Sequence, residues 1–256
     1  MKQSSTILSS RAPRVALAIA LAAAALLPIS APLADDGNDK FQVHPFVYDP
    51  ADTDLVQSGW LSGIGCPTTA NVATYPATKP TGTYTDPACT TGDPKDKDVE
   101  GLLLAKTGPT SNNAAAGAQL KGLPKSLVLT ELGYDLRKPG ADQNDVRGSH
   151  CGAGAPRFNI TTSAGFFFLG CNSPPPATTT AGVGWMRLRW GGSSPLMAYL
   201  NGVTLTTVTG TVKSIEIIFD EGQDASGGPD QFGLAVLDNI DVNGVLVGRG
   251  PHDEGH

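Results

Sequence analysis

Charge and aromatic rings are both sparse in this chain of 256 residues: 16% of its side chains are charged and 6% are Phe, Tyr or Trp. Basic residues are the scarcer sign, with 18 Lys and Arg against 24 Asp and Glu. That balance argues against a nucleic-acid partner, whose phosphates call for a basic patch, and equally against an anionic membrane surface. Long apolar runs are missing too. The run from Val15 to Leu27 is too short for a membrane span, which needs about 20 apolar residues. There is no Cys-x-x-Cys pair and the four histidines are scattered, which disfavours zinc. G-x-S-x-G, P-loop and H-E-x-x-H patterns are absent, so the sequence carries no signature of a serine hydrolase, a phosphate cradle or a zinc protease.

What is present begins with the amino terminus. Lys2, Arg11 and Arg14, with no acid, precede the apolar run, and small residues follow it. This order predicts a secretory signal peptide over residues 1–34 and a secreted protein, extracellular or periplasmic, with no membrane span in the mature chain. Removing that leader turns the formal charge of −6 into −9, because it holds three cations and no anion. About 220 residues remain, enough for one sizeable core.

Gly, Pro and Thr are abundant there and helix formers are sparse, the composition of short strands joined by turns. Period-2 alternation is legible in several stretches. In Ser126–Arg137, Val128, Leu132, Tyr134 and Leu136 point one way and Glu131, Asp135 and Arg137 the other. Arg157–Thr161 sets Phe158 and Ile160 on one face. Trp185–Trp190 opposes Met186, Leu188 and Trp190 to Trp185, Arg187 and Arg189. Val212–Phe219 aligns Ile215, Ile217 and Phe219, and Phe232–Ile240 is a further apolar run. Asn243-Gly244 between Val242 and Val245 is the strongest hairpin signal in the chain. The predicted fold is all-β: a two-sheet antiparallel sandwich, jelly-roll-like, of about nine strands. Its core occupies 101–248. Residues 35–100 form an extended lead-in, with Phe41, Val43, Phe46 and Val47 placed to add a first strand, and a disulfide-pinned loop region packed on the sandwich; residues 172–182 form a Pro/Thr loop, and residues 249–256 a polar tail.

Four cysteines in an exported chain read as two disulfides, with three possible pairings. Local loop closure favours Cys66–Cys89 and Cys151–Cys171, each stabilising by roughly 3 kcal/mol in the chain-entropy model.

Two clusters carry candidate chemistry. Asp220, Glu221, Asp224 and Asp230 lie among glycines after a strand, a hard-oxygen set that suits calcium, with Asp238 and Asp241 on the following strands. The competing reading is a solvated acidic turn. The strand positions opposite the apolar faces hold Glu131, Asp135, Arg137, Arg157, Asn159, Trp185, Arg187 and Arg189. Guanidinium forks, carboxylates, an amide and an exposed indole suit a planar or polyhydroxylated ligand. The competing reading there is an outer sheet face with cross-strand ion pairs.

The segments Thr130-Glu131-Leu132-Gly133-Tyr134-Asp135, His150-Cys151-Gly152-Ala153-Gly154-Ala155-Pro156-Arg157-Phe158-Asn159 and Leu237-Asp238-Asn239-Ile240-Asp241-Val242-Asn243-Gly244 resemble secreted bacterial proteins of uncharacterised function with jelly-roll or carbohydrate-module-like cores. The resemblance covers residues 100–248. It implies the sandwich and assigns no catalytic residue. The expected function is a secreted, non-catalytic binding module for a polysaccharide or other envelope polymer. The alternatives are a structural or adhesive protein with a protein partner and, third, an envelope polysaccharide hydrolase using Glu131, Asp135 or Glu221 as paired carboxylates.

Overall fold

The computed structural model describes residues 41–66, 93, 95–106, 114–138, 151, 155–182, 185–220 and 233–251. The expected signal peptide, Cys89 and the last five residues of the tail lie outside the described residues. Fourteen strands run in chain order: β1 (Gln42–Tyr48), β2 (Val56–Leu61), β3 (Gly101–Lys106), β4 (Ala115–Lys121), β5 (Glu131–Arg137), β6 (Arg157–Thr162), β7 (Gly165–Leu169), β8 (Ala177–Gly182), β9 (Trp185–Gly191), β10 (Met197–Leu200), β11 (Thr204–Thr207), β12 (Val212–Phe219), β13 (Gly233–Val242) and β14 (Val245–Val247). They form two antiparallel sheets. The first has the order β1-β4-β12-β6-β7-β10-β11; the second has the order β2-β3-β13-β5-β9-β8, with β14 paired to β13.

Alternation puts one side chain in two into the space between the sheets. From the first sheet come Val43, Ala118, Leu120, Phe158, Ile160, Phe167, Leu169, Ile215, Ile217 and Phe219. The second contributes Leu102, Leu104, Leu132, Tyr134, Leu136, Leu188, Trp190, Leu237 and Ile240. Three rings join the layers: Tyr134 lies 5.4 Å from Phe158 and 5.5 Å from Trp190, centroid to centroid. Their polar atoms are satisfied within the core, Tyr134 Oη donating to the Pro156 carbonyl and Trp190 Nε1 to that of Pro174, both at 2.8 Å. The Cys151–Cys171 disulfide closes beside them.

Several expectations on strand extent need correction. Among the described residues there are fourteen strands where about nine were expected. The lead-in supplies β1 and β2, one for each sheet, so the sandwich starts well before residue 101. The Pro/Thr loop ends in a strand, β8, whose threonines suit a pleated surface. Ser126–Arg137 becomes a strand only from Glu131. Before it, Leu127 N–H closes a turn on the Pro124 carbonyl, and Asn243 Nδ2 donates to the Val128 carbonyl, so Val128 is exposed instead of buried. The Asn243-Gly244 turn is as read, with φ of 53° and 83° at its two central residues.

One strand departs from two-faced alternation. All ten residues of β13 are buried. A strand covered on both faces needs a layer outside the sheet as well as inside it. That layer comes from the chain between β2 and β3. Gly63 and Gly65 N–H both donate to the Val99 carbonyl at 2.9 Å. Gly65 also passes so close to Glu100 that a Cβ there would strike its carbonyl. Ile64 and Cys66 then pack with Ala105, Ala181, Trp185, Leu234 and Val236 in a second, smaller apolar cluster on the outside of the second sheet. Cys66 is disulfide-bonded; the expected partner, Cys89, is outside the described residues.

Candidate functional site

The strand registers divide the eight residues read as one ligand face. Glu131, Asp135 and Arg137 are on β5 and Trp185, Arg187 and Arg189 on β9, neighbours in the second sheet. Arg157 and Asn159 are on β6, in the first sheet on the other side of the core. The eight therefore do not share a surface.

The six on the second sheet lie beneath the β2–β3 layer or at its margin. Trp185, expected as an exposed indole, is 2% exposed, because Ile64 and Cys66 cover it. Asp135 is wholly buried and fully engaged. Arg187 Nε and Nη2 grip its two oxygens at 2.8 and 2.9 Å, and Asn239 Nδ2 donates to it at 2.9 Å. Arg189 crosses β5 to meet Asp241 on β13, Nε to Oδ2 at 2.9 Å. It can do so because Gly133, its register partner, has no side chain; a Cβ there would collide with Arg189 Cδ. Glu131 pairs with the same Asp241, and burial, then the Asp241 charge, raises its carboxyl above the usual range. Asp238 accepts the Cys66 N–H at 2.7 Å, and Asn239 Oδ1 accepts the Asp93 N–H at 3.0 Å, so the outer layer is fastened to the bulge of β13. Burial, then the Asp96 and Asp135 charges, raises the Asp238 carboxyl well above its ordinary value. Burial is also the main reason that Asp96 rises to about 6, against two backbone N–H groups that favour its charge. Polar side chains here hold one piece of backbone on another.

Of the expected calcium set, Asp220 alone is described; Glu221, Asp224 and Asp230 lie outside the described residues. Both Asp220 oxygens take Arg157, Nη1 to Oδ1 at 2.7 Å and Nη2 to Oδ2 at 2.8 Å, and its carbonyl accepts Lys106 Nζ at 2.8 Å. Asp238 and Asp241, thought able to approach that loop, belong to the network under the outer layer.

The outer face of the first sheet is built differently. Following the registers from edge to edge gives one row: His44 on β1, Gln119 on β4, Glu216 on β12, Asn159 on β6, Phe168 on β7, Tyr199 on β10 and Leu205 on β11. Each is at least partly exposed, while the flanking residues Val43, Leu120, Ile215, Ile160, Phe167 and Ala198 are core. With strands about 4.8 Å apart, the six steps of the row span about 29 Å. The β1–β6 half is polar and the β7–β11 half is apolar. Phe166 meets Phe168 edge to face at 4.6 Å, and Tyr199 Oη hydrogen-bonds Ser173 Oγ at 3.2 Å. Burial, then Lys121, holds the His44 imidazole below its usual pKa; its Nε2 donates to Gln42 Oε1 at 3.0 Å, which leaves Nδ1 as the acceptor. Among the described residues no hydrogen bond engages the side chains of Gln119 or Glu216, and Asn159 uses only its Oδ1, toward Arg157.

Sequence reasoning found Asn159 and Arg157 but missed His44, Gln119, Glu216, Phe168 and Tyr199. Glu216 was open to discovery, as the outward residue between Ile215 and Ile217. Phe168 was concealed in the run Phe166-Phe167-Phe168-Leu169, where every residue is apolar and alternation leaves no trace.

Neither a family model nor a curated protein sequence matches the chain. Two solved structures are similar to it. One is the family 11 carbohydrate-binding module of the cellulosomal cellulase Lic26A-Cel5E of Clostridium thermocellum, at a TM-score of 0.36 and 14% identity over 86% of this chain and 96% of that one. The other is a family 11 carbohydrate-binding module from Clostridium thermocellum in complex with a beta-1,3-1,4-mixed-linked tetrasaccharide, at a TM-score of 0.36 and 14% identity over 85% of this chain and 95% of that one.

Proposed function

We propose that the protein is a secreted, non-catalytic binding module that takes a carbohydrate chain along the outer face of its first sheet. The observation that carries this reading is the row from His44 to Leu205. A sugar polymer presents hydroxyls that donate and accept on its edges and C–H groups on its ring faces. The Glu216 carboxylate offers acceptors, the amides of Gln119 and Asn159 offer donors, and His44, whose Nε2 lies 3.0 Å from Gln42 Oε1, offers its Nδ1. Phe168 and Tyr199 give flat apolar surface on which a ring face can lie. An extended row suits an extended ligand. The Cys151–Cys171 disulfide suits the oxidising compartment that the leader implies.

Affinity electrophoresis in soluble glucans and pull-down on insoluble polysaccharides test the proposal. The wild-type protein is retained on at least one polymer. Glu216→Ala and Tyr199→Ala each weaken that retention about tenfold or more, and Glu216→Ala leaves the melting temperature unchanged. Retention on no polymer overturns the carbohydrate reading; full retention of both variants on a polymer that binds the wild type overturns the choice of face.

A further inference from the structure

Asn159 sits at the centre of the row, and its amide has two unlike ends. Which end faces a ligand decides whether the position donates or accepts. Arg157, two residues earlier on the same strand and so on the same face, places Nε 3.2 Å from Asn159 Oδ1. A guanidinium has donors and no acceptor, so the amide atom that faces it is the oxygen. Arg157 is itself held. Both Asp220 oxygens receive its two terminal nitrogens, the fork-to-fork geometry that only a guanidinium and a carboxylate make together. Lys106 Nζ in turn holds the Asp220 backbone carbonyl. The chain of contacts runs from the end of β12 through the start of β6 to the middle of the row.

From this geometry we infer that Asp220 and Arg157 are positioning residues that orient the Asn159 amide, so that Nδ2 is the atom offered to the bound chain. The inference rests on the carbohydrate reading above and deepens it. The centre of the row then presents a donor from Asn159 beside the acceptor Glu216, its cross-strand partner. A vicinal pair of sugar hydroxyls, one accepting and one donating, matches that pair; a site with a freely turning amide does not discriminate between the two orders. Burial opposes the Asp220 charge, but the Arg157 hydrogen bonds and charge, with Lys106, outweigh it and keep the carboxyl below its usual pKa, so the clamp is closed at neutral pH.

The test has two arms. In the first, the side-chain amide signals of Asn159 are followed by ¹H–¹⁵N NMR in ligand-free protein and assigned by their loss in Asn159→Asp. Asp220→Asn and Arg157→Lys, each of which removes the fork, shift those signals. In the second, affinity for a polysaccharide that retains the wild-type protein is measured. Asp220→Asn weakens it about threefold to tenfold, the worth of one hydrogen bond, and adds nothing further in the Asn159→Ala background. Unmoved amide signals in both fork variants overturn the inference, and so does a loss that is additive with Asn159→Ala. Absence of any polysaccharide binding by the wild-type protein sinks the carbohydrate reading alone; the NMR arm still decides the positioning. Melting curves of both fork variants accompany the titrations, and two chemically different variants keep one misfolded protein from deciding the outcome.

Discussion

The two outer faces of this sandwich carry similar kinds of side chain and use them in opposite ways. On the second sheet, Asp135, Arg187, Arg189, Asn239 and Asp241 satisfy one another under or beside a covering layer. On the first sheet, Gln119, Glu216 and the Asn159 Nδ2 keep their hydrogen-bonding capacity among the described residues. Density of charge therefore does not by itself measure how many donors and acceptors a face leaves unused. A saturated network is structure, since each member would incur a desolvation cost if its partner left; unused donors and acceptors on an open face are what a ligand can engage.

Three effects break or sharpen that contrast. The largest effect falls on the saturated side. Asp135→Ala removes the wholly buried carboxylate that Arg187 and Asn239 share, and loss of one partner from a buried pair costs about 3–5 kcal/mol. A urea denaturation series shows this as a lower midpoint at unchanged slope, whereas Glu216→Ala changes the unfolding free energy by less than about 0.5 kcal/mol. Equal losses from the two substitutions erase the distinction between the faces. A smaller effect is expected from Gly133→Ala. Its new methyl group meets Arg189 Cδ and the Leu188 carbonyl, and overpacking of this kind costs about 1–3 kcal/mol. Pairing it with Asp241→Ala in a double-mutant cycle should show coupling, because both act through Arg189; strict additivity would refute the crossing role given to that glycine.

The third effect is a pH slope. Asp96 titrates at about 6 in the folded protein and near its ordinary value, about 3.8, when unfolded. The folded state thus binds more protons in that interval, so stability falls as pH rises from about 4 to about 6 and levels off above it. Asp238, raised by burial and by the Asp96 and Asp135 charges, adds to the same trend. Asp96→Asn should flatten this slope in melts taken across that range. An unchanged slope would place the proton elsewhere.

The elements of the sandwich were legible because their causes are local. β12 has the bounds that its sequence alternation suggested, and β6, β9 and β13 differ by one or two residues at their ends. Asn243 and Gly244 adopt positive φ, as an Asn-Gly turn in a hairpin requires. Cys151 and Cys171 are joined, as local loop closure favoured. The candidate site was legible only in part. Arg157 and Asn159 were singled out, but with six residues from the opposite sheet, because alternation tells which way a side chain points and nothing about which strand lies beside it.

What the sequence by itself determined is the all-β class, several of the strands with the inward side of their residues, the tight turn and the local disulfide, since each depends on residues a few positions apart. Strand order, the layer over the second sheet and the row across the first were decided by the tertiary structure alone. Cys66 and Asp238 are 172 residues apart, and Glu216 and Asn159 are 57 apart, yet each pair meets through contacts that neither segment makes by itself. Packing covered the outer face of the second sheet with the chain between β2 and β3, while the row from His44 to Leu205 stays at least partly exposed on the first.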